Sequence, residues 1–283
     1  MKKFTILTLA VLFPLLGWGQ AQIDTKKMKI SDFTRKITKV VLTGNQFYDV
    51  CLENEVAAKW SVSPFEFCSF EEFEKLKTDD SYYFLITTKG QFKKETEPGL
   101  TFLTLAKGGK SVKGIDDMLE IVAFPYASAE DPSGREITFL PAFLDIIQNY
   151  ALDSMEKDIN AYTGLPNYTL NISRSGDMTL VFSEGDLSDE VTPDVKNQHF
   201  DAGVLVLPEE EADEYMSPEK TNTLVSYVAC PTSAKPGSYC YKMLIDPQTS
   251  RLYYFRKHKV SKKAAPGFLA EDIRRITAPR IRK

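Results

Sequence analysis

Histidine is nearly missing from this chain, and its scarcity removes whole classes of chemistry. Only His199 and His258 occur, so neither a three-histidine zinc site nor a His-x-x-x-His metal pair can be built. A Ser–His or Cys–His nucleophile would have to use one of these two rings. Neither lies near a Gly-x-Ser-x-Gly elbow, because the sequence contains none. His258 sits in the basic run Arg256-Lys257-His258-Lys259, where a solvent-facing ring is expected, and His199 precedes Phe200 and Asp201 in a loop.

Cysteine is sparse as well. Cys51, Cys68, Cys230 and Cys240 are spaced unlike a zinc ribbon. No metal and no cofactor is expected. In an oxidising compartment an even number of thiols permits three pairings. Cys230 and Cys240 flank Pro231 to Tyr239, a loop with two prolines and one glycine between strand-like runs, and a bridge across such a hairpin is geometrically reasonable. Cys51, in a helical pattern, and Cys68, in a short strand, read as small buried apolar residues. Two motif echoes fail. Gly108-Gly109-Lys110-Ser111 lacks the leading glycine of a phosphate loop, having Thr104 there. Ser217-Pro218-Glu219-Lys220 overlaps Lys220-Thr221-Asn222, whereas Ser-x-x-Lys enzymes carry their motifs on separate elements.

Long apolar runs are confined to the start. Residues 1–22 have the pattern of an export signal: Lys2 and Lys3, an apolar stretch from Phe4 to Leu16, then the small residues Gly17, Gly19 and Ala21. Nothing later approaches the roughly 18 apolar residues of a membrane helix. The mature chain is expected to be periplasmic or secreted and soluble. It is not expected to be a lipoprotein, since the first cysteine is Cys51.

What remains is ample for a folded globule, with 43% hydrophobic and 12% aromatic residues. A formal charge of −4 argues against nucleic acid as a partner. The charge is uneven. Glu184 to Glu219 holds twelve Asp or Glu against Lys196, and Arg251 to Lys283 holds eleven Lys or Arg against Glu271 and Asp272. These segments either neutralise each other or leave a basic surface for an acidic partner.

Strand-like runs fall at Ile37 to Leu42, Phe65 to Cys68, Tyr82 to Thr88, Thr101 to Ala106 and Leu119 to Tyr126. Helical spacing marks Phe47 to Trp60, and Ser69 with Glu72 makes a capping box for a helix ending near Lys77. The longest helical pattern runs from Ile137 to Tyr162, with Gly164 as its cap. Met178 to Phe182, Ala202 to Leu207, Thr223 to Cys230, Tyr239 to Ile245 and Arg251 to Lys259 read as strands. The last two form an antiparallel hairpin around Asp246-Pro247-Gln248-Thr249-Ser250, and Phe268 to Ile276 is a final helix. No repeat at a fixed period is visible. The expected fold is α/β to α+β: a mixed β-sheet covered by helices, with an antiparallel strand-rich C-terminal half. Residues 23–283 make one domain, with 23–127 and 135–283 as its candidate subdivision.

Two sets of side chains are candidates for a site. Glu184, Asp186, Asp189, Glu190, Asp194 and Asp201 are dense enough to supply a catalytic carboxylate pair. Aromatic residues cluster on strands, and alternation places Tyr253 and Phe255 on one face. With Arg251, Arg256, Lys257 and Lys259 they compose a candidate binding strand.

The leader ending Gly-Trp-Gly-Gln-Ala-Gln, the segment Asp49 to Leu85, Gly237 to Lys242 and Leu252 to Phe255 resemble secreted, uncharacterised proteins of Gram-negative Bacteroidetes. That resemblance implies export and carries no activity with it. The first strand–helix units resemble, more weakly, the small α/β domains of envelope-assembly lipoproteins. The expected function is a non-catalytic binding or assembly module whose partner is an envelope protein or a glycan. The alternative is a carboxylate-dependent hydrolase of glycan or peptide.

Overall fold

A computed structural model describes residues 26–92 and 95–281; the signal-like stretch 1–22 lies outside them. The chain opens with α1 (Lys26–Lys29), β1 (Ile37–Val41), α2 (Gln46–Lys59), β2 (Phe65–Cys68), α3 (Phe70–Leu76), β3 (Tyr82–Gly90), β4 (Leu100–Lys107), β5 (Leu119–Ser128), α4 (Arg135–Glu156) and α5 (Asp158–Thr163). A 3-10 segment, Leu165–Arg174, leads to β6 (Thr179–Ser183), α6 (Pro193–His199), β7 (Val204–Leu207), α7 (Glu209–Asp213), β8 (Thr223–Ala229), β9 (Tyr239–Asp246), β10 (Arg251–Lys259) and α8 (Ala270–Ile281).

These strands build two mixed five-stranded sheets covered by helices, with orders β2-β1-β3-β4-β5 and β10-β9-β8-β6-β7. The connectivity is the same in both. In each, the first strand pairs in parallel with the second on one side and the third on the other, and the last three run antiparallel. A helix follows the final strand of each. The protein is therefore a topological duplication. In each unit the terminal helix, α4 or α8, follows the fifth strand.

Local chemistry explains the helices. Asn45 caps α2, its side chain accepting from Tyr48 N, while Asp49 in the first turn accepts from the amides of Thr43 and Gly44 at 2.8 Å. Ser69 caps α3 through Glu72 N. The expected long helix breaks at Lys157, whose backbone is extended, so α5 is a separate turn of chain. Gly164 follows it with φ +68.

One apolar core joins the halves. Val40, Tyr83, Leu85 and Leu105 of the first sheet pack beneath α2 and α4. From the other side, Val225, Tyr227, Met243 and Phe255 of the second sheet press on the same helix and on Phe124. The Tyr227 ring lies 4.7 Å from Phe139 and 5.1 Å from Phe143. Each such ring contributes about 1.5–3 kcal/mol by leaving water. A second group, with Leu180, Phe182, Leu244 and Tyr254, lies under α8.

The acidic and basic segments do meet. Arg280 forks onto Asp201 at 2.7 and 2.9 Å. Arg135 of α4 reaches into the second half, holding Asp186 at 3.0 Å and Asp213 at 2.7 Å.

Candidate functional site

Strand β10 divides the residues singled out from the sequence among three surroundings. A bulge between Leu252 and Tyr254 interrupts its alternation. Tyr253 consequently packs against the group holding Tyr254, while Phe255 joins the central core. Strict alternation had put Tyr253 and Phe255 on one face, and the extra residue separates them.

Arg251 and Tyr253 line a groove of about 730 Å³ between the end of α4, the 3-10 segment and the β9–β10 turn. Its other polar walls include Arg174, Asn149 and Asn167, and its one carboxylate, Asp153, accepts from Tyr168 Oη at 2.6 Å. The 3-10 segment is sewn to the outer edge of β10. Thr169 Oγ1 donates to Phe255 O at 2.8 Å and accepts from Phe255 N at 3.1 Å, and Asn171 Nδ2 donates to Leu252 O at 2.9 Å.

Phe255 and Lys257 line a second groove, of about 630 Å³. Its floor is Thr88 with the buried Thr104 and Ala106 of the first sheet, at the margin of the cluster that Phe73 of α3 covers, and the two hydroxyls lie 2.9 Å apart. Its walls are aromatic, with Phe92, Phe102, Tyr162 and Tyr241. Lys26, Lys89 and Lys257 bring positive charge, and Asp116 and Glu120 negative. Lys257 Nζ hangs 4.9 Å from the Tyr239 ring and 5.6 Å from that of Tyr241, and Lys259 Nζ lies 5.3 Å from Tyr239. Burial, then the neighbouring phenol of Tyr239, pushes the Tyr241 hydroxyl up to about 12, so it stays a neutral donor. Burial also holds the Lys26 ammonium below its ordinary value, against the opposing pull of Glu120, and its Nζ donates to Ile121 O at 3.0 Å.

Arg256 belongs to neither groove. Its guanidinium lies 3.7 Å from both Glu271 and Asp272. Asp272 also takes a hydrogen bond from Tyr254 Oη at 2.6 Å and an ion pair from buried Lys242. Burial alone would raise the Asp272 carboxyl; the Lys242 charge and these hydrogen bonds hold it below its usual range. Arg256 is thus an internal counter-ion rather than a free basic contact.

The acidic residues noted from the sequence line neither groove. Asp186 is occupied by Arg135 and by Ser226 Oγ, and Asp201 by Arg280. His258 does not face solvent freely: the 261–267 loop folds over it, its Nε2 lies 2.9 Å from Ala265 O, and burial, then Lys242, lowers its pKa. Among the described residues no three His, Cys, Asp or Glu side chains group as a metal site requires, and no helix is long and apolar enough to cross a membrane.

Sequence reasoning missed Thr88, Thr104 and Tyr162. The only available signal was polar threonine at inward positions of two otherwise apolar strands. Comparison of the chain with family models, with curated proteins and with solved structures finds no match.

Proposed function

We propose that this chain is an exported, non-catalytic binding or envelope-assembly module that takes a glycan in the groove floored by Thr88 and Thr104. One observation carries the reading. Both halves share one topology, and in the second half the corresponding sheet face, with Val225, Tyr227, Met243 and Ile245, is covered by α4 and the first half. In the first half Thr88, Thr104 and Ala106 stand on that face instead, and they line the groove. A threonine floor, aromatic walls and lysine ammonium groups suit sugar rings that stack and carry acidic substituents.

The test is calorimetric titration with neutral and uronic-acid-containing oligosaccharides. The reading expects saturable binding to the acidic set, weakened about tenfold by removal of a stacking or cationic contact in Lys257→Ala or Tyr162→Ala. Binding to neither set would overturn the glycan. Recovery of a mature chain that retains residues 1–22 would overturn export.

One observation favours the hydrolase as a second reading: Asp116 and Glu120 both line this groove. Both are exposed. Turnover of a glycan that Asp116→Asn or Glu120→Gln abolishes would establish the enzyme in place of the binder.

A further inference from the structure

We propose that Cys230 and Cys240 are an oxidation site, closing to a disulfide at the base of the 231–239 loop by exchange with an external disulfide. The geometry is set by the sheet. In the β8–β9 register Val228 faces Lys242 and Ala229 faces Tyr241, so the next opposed pair is Cys230 and Cys240. Directly opposed antiparallel residues have Cα atoms about 4.5–5.5 Å apart, inside the 4.4–6.8 Å span of disulfides. Their Cβ atoms, about 4.5–5.5 Å apart in a sheet, need approach by an ångström at most. Both are free thiols, and each is the main influence on the other's ionisation.

No other pairing competes. Cys68 packs with Val41, Phe73 and Phe84 on the α3 side of the first sheet, and Cys51 lies on α2, which packs on the opposite side. Cys230 is half-buried and reachable, while Cys240 is fully buried. Cys240 Sγ accepts from Gly267 N at 3.2 Å. The neighbouring Cys230 thiol, that amide and the Lys242 charge pull the Cys240 thiol below its ordinary pKa against burial, while Cys240 and burial push the Cys230 thiol up, so access and not acidity makes Cys230 the first to react.

The chemistry then orders itself by access. Cys230, as thiolate after losing its proton, attacks one sulfur of an external disulfide such as oxidised glutathione or a dithiol oxidoreductase. The first partner thiolate leaves. Cys240, deprotonated in turn, attacks Cys230 Sγ and expels the second. The two cysteines lose two electrons and two protons, and the external disulfide becomes two thiols. The bridge would fix a loop that also touches the first half, where Thr232 N donates to Ser128 Oγ at 3.1 Å and Thr232 Oγ1 to Asp131 O at 3.0 Å. It would also fix the strand end that carries Tyr241 into the second groove. The inference stands apart from the glycan reading.

The experiment equilibrates the folded chain with oxidised glutathione, quenches with acid, then alkylates in denaturant and maps peptides by mass spectrometry. The expected result is alkylation at Cys51 and Cys68 only, with Cys230 and Cys240 peptides linked. Reduction should lower Tm by roughly 5–10 °C, and Cys230→Ser should lose both the link and the reduction-dependent shift. Four alkylated thiols, a glutathione adduct on Cys230 that never resolves, or a link to Cys51 or Cys68 would each overturn the site.

Discussion

Arg135 and Asp186 form a buried ion pair, 3.0 Å from Nη1 to Oδ1, that ties the last helix of the first half to the second sheet. Arg135 also bonds Asp213 and the Ser226 carbonyl, and its guanidinium lies 5.3 Å from the Phe139 and Tyr227 rings. Burial raises the Asp186 carboxyl beyond what Arg135, the largest opposing influence, restores. Removing the arginine in Arg135→Met strands that carboxylate and should cost about 3–5 kcal/mol. An acid raised in the folded state binds more protons there than in the unfolded chain, so its contribution falls as pH rises. The variant should therefore gain relative to wild type as pH drops from 7 toward the carboxylate range. Urea midpoints for both proteins across that range measure it, and a constant difference would show that Asp186 does not respond.

Asp32 should govern the opposite behaviour in acid. Burial opposes its ionisation, but hydrogen bonds from Lys107 and Tyr83 and the Lys107 charge hold it down at about 2. Lys107 Nζ sits 2.8 Å from Oδ1 and Tyr83 Oη 2.5 Å. A folded pKa below the unfolded value gives stability that is present above about pH 4 and lost as pH falls toward 2. Asp32→Asn should flatten that acid limb, lowering stability at neutral pH while leaving it unchanged near pH 2. Midpoints that fall in parallel at every pH would rule this out.

Much of the element pattern was legible. The β9–β10 hairpin could be read because β-rich runs flank a turn, and Asp246 does close it, its carboxylate accepting from Gln248 N at 2.9 Å and Thr249 Oγ1 at 2.6 Å. The duplication was hidden because side chains follow burial rather than ancestry or topology. Thr88 and Thr104 floor a groove where Tyr227 and Met243 meet a helix, so corresponding strands share no pattern. How β10 divides its side chains was not legible, for two physical reasons. One bulged residue reverses every side chain beyond it, and an arginine looks the same in sequence whether it meets solvent or a buried aspartate.

That last point separates Arg256 from Lys257. Reversing both charges would confound folding with binding. Arg256→Glu alone places a carboxylate beside Asp272 and removes one of its cations, so it should destabilise by roughly 1–3 kcal/mol. Lys257→Glu, exposed above Tyr239, should leave the urea midpoint within about 0.5 kcal/mol of wild type. If Lys257 is a contact for an acidic envelope partner, the same variant should lose retention on envelope extracts at low salt. A stable Arg256→Glu protein, or full retention of Lys257→Glu, would contradict the assignment of these two charges.

Thr169 shields the open edge of the second sheet. Its hydroxyl both donates to and accepts from the backbone of Phe255, standing in for a neighbouring strand. An unpaired edge is a template for pairing with another chain. Thr169→Val keeps the side-chain shape and removes both bonds, leaving a carbonyl and an amide without partners at a cost of about 1–3 kcal/mol. Amide exchange at Phe255 should accelerate, and the variant should associate with rising concentration in sedimentation velocity. Thr169→Ser, which retains the hydroxyl, should restore protection and the sedimentation profile of the parent. If Val and Ser behave alike, the edge is guarded by something other than this hydroxyl.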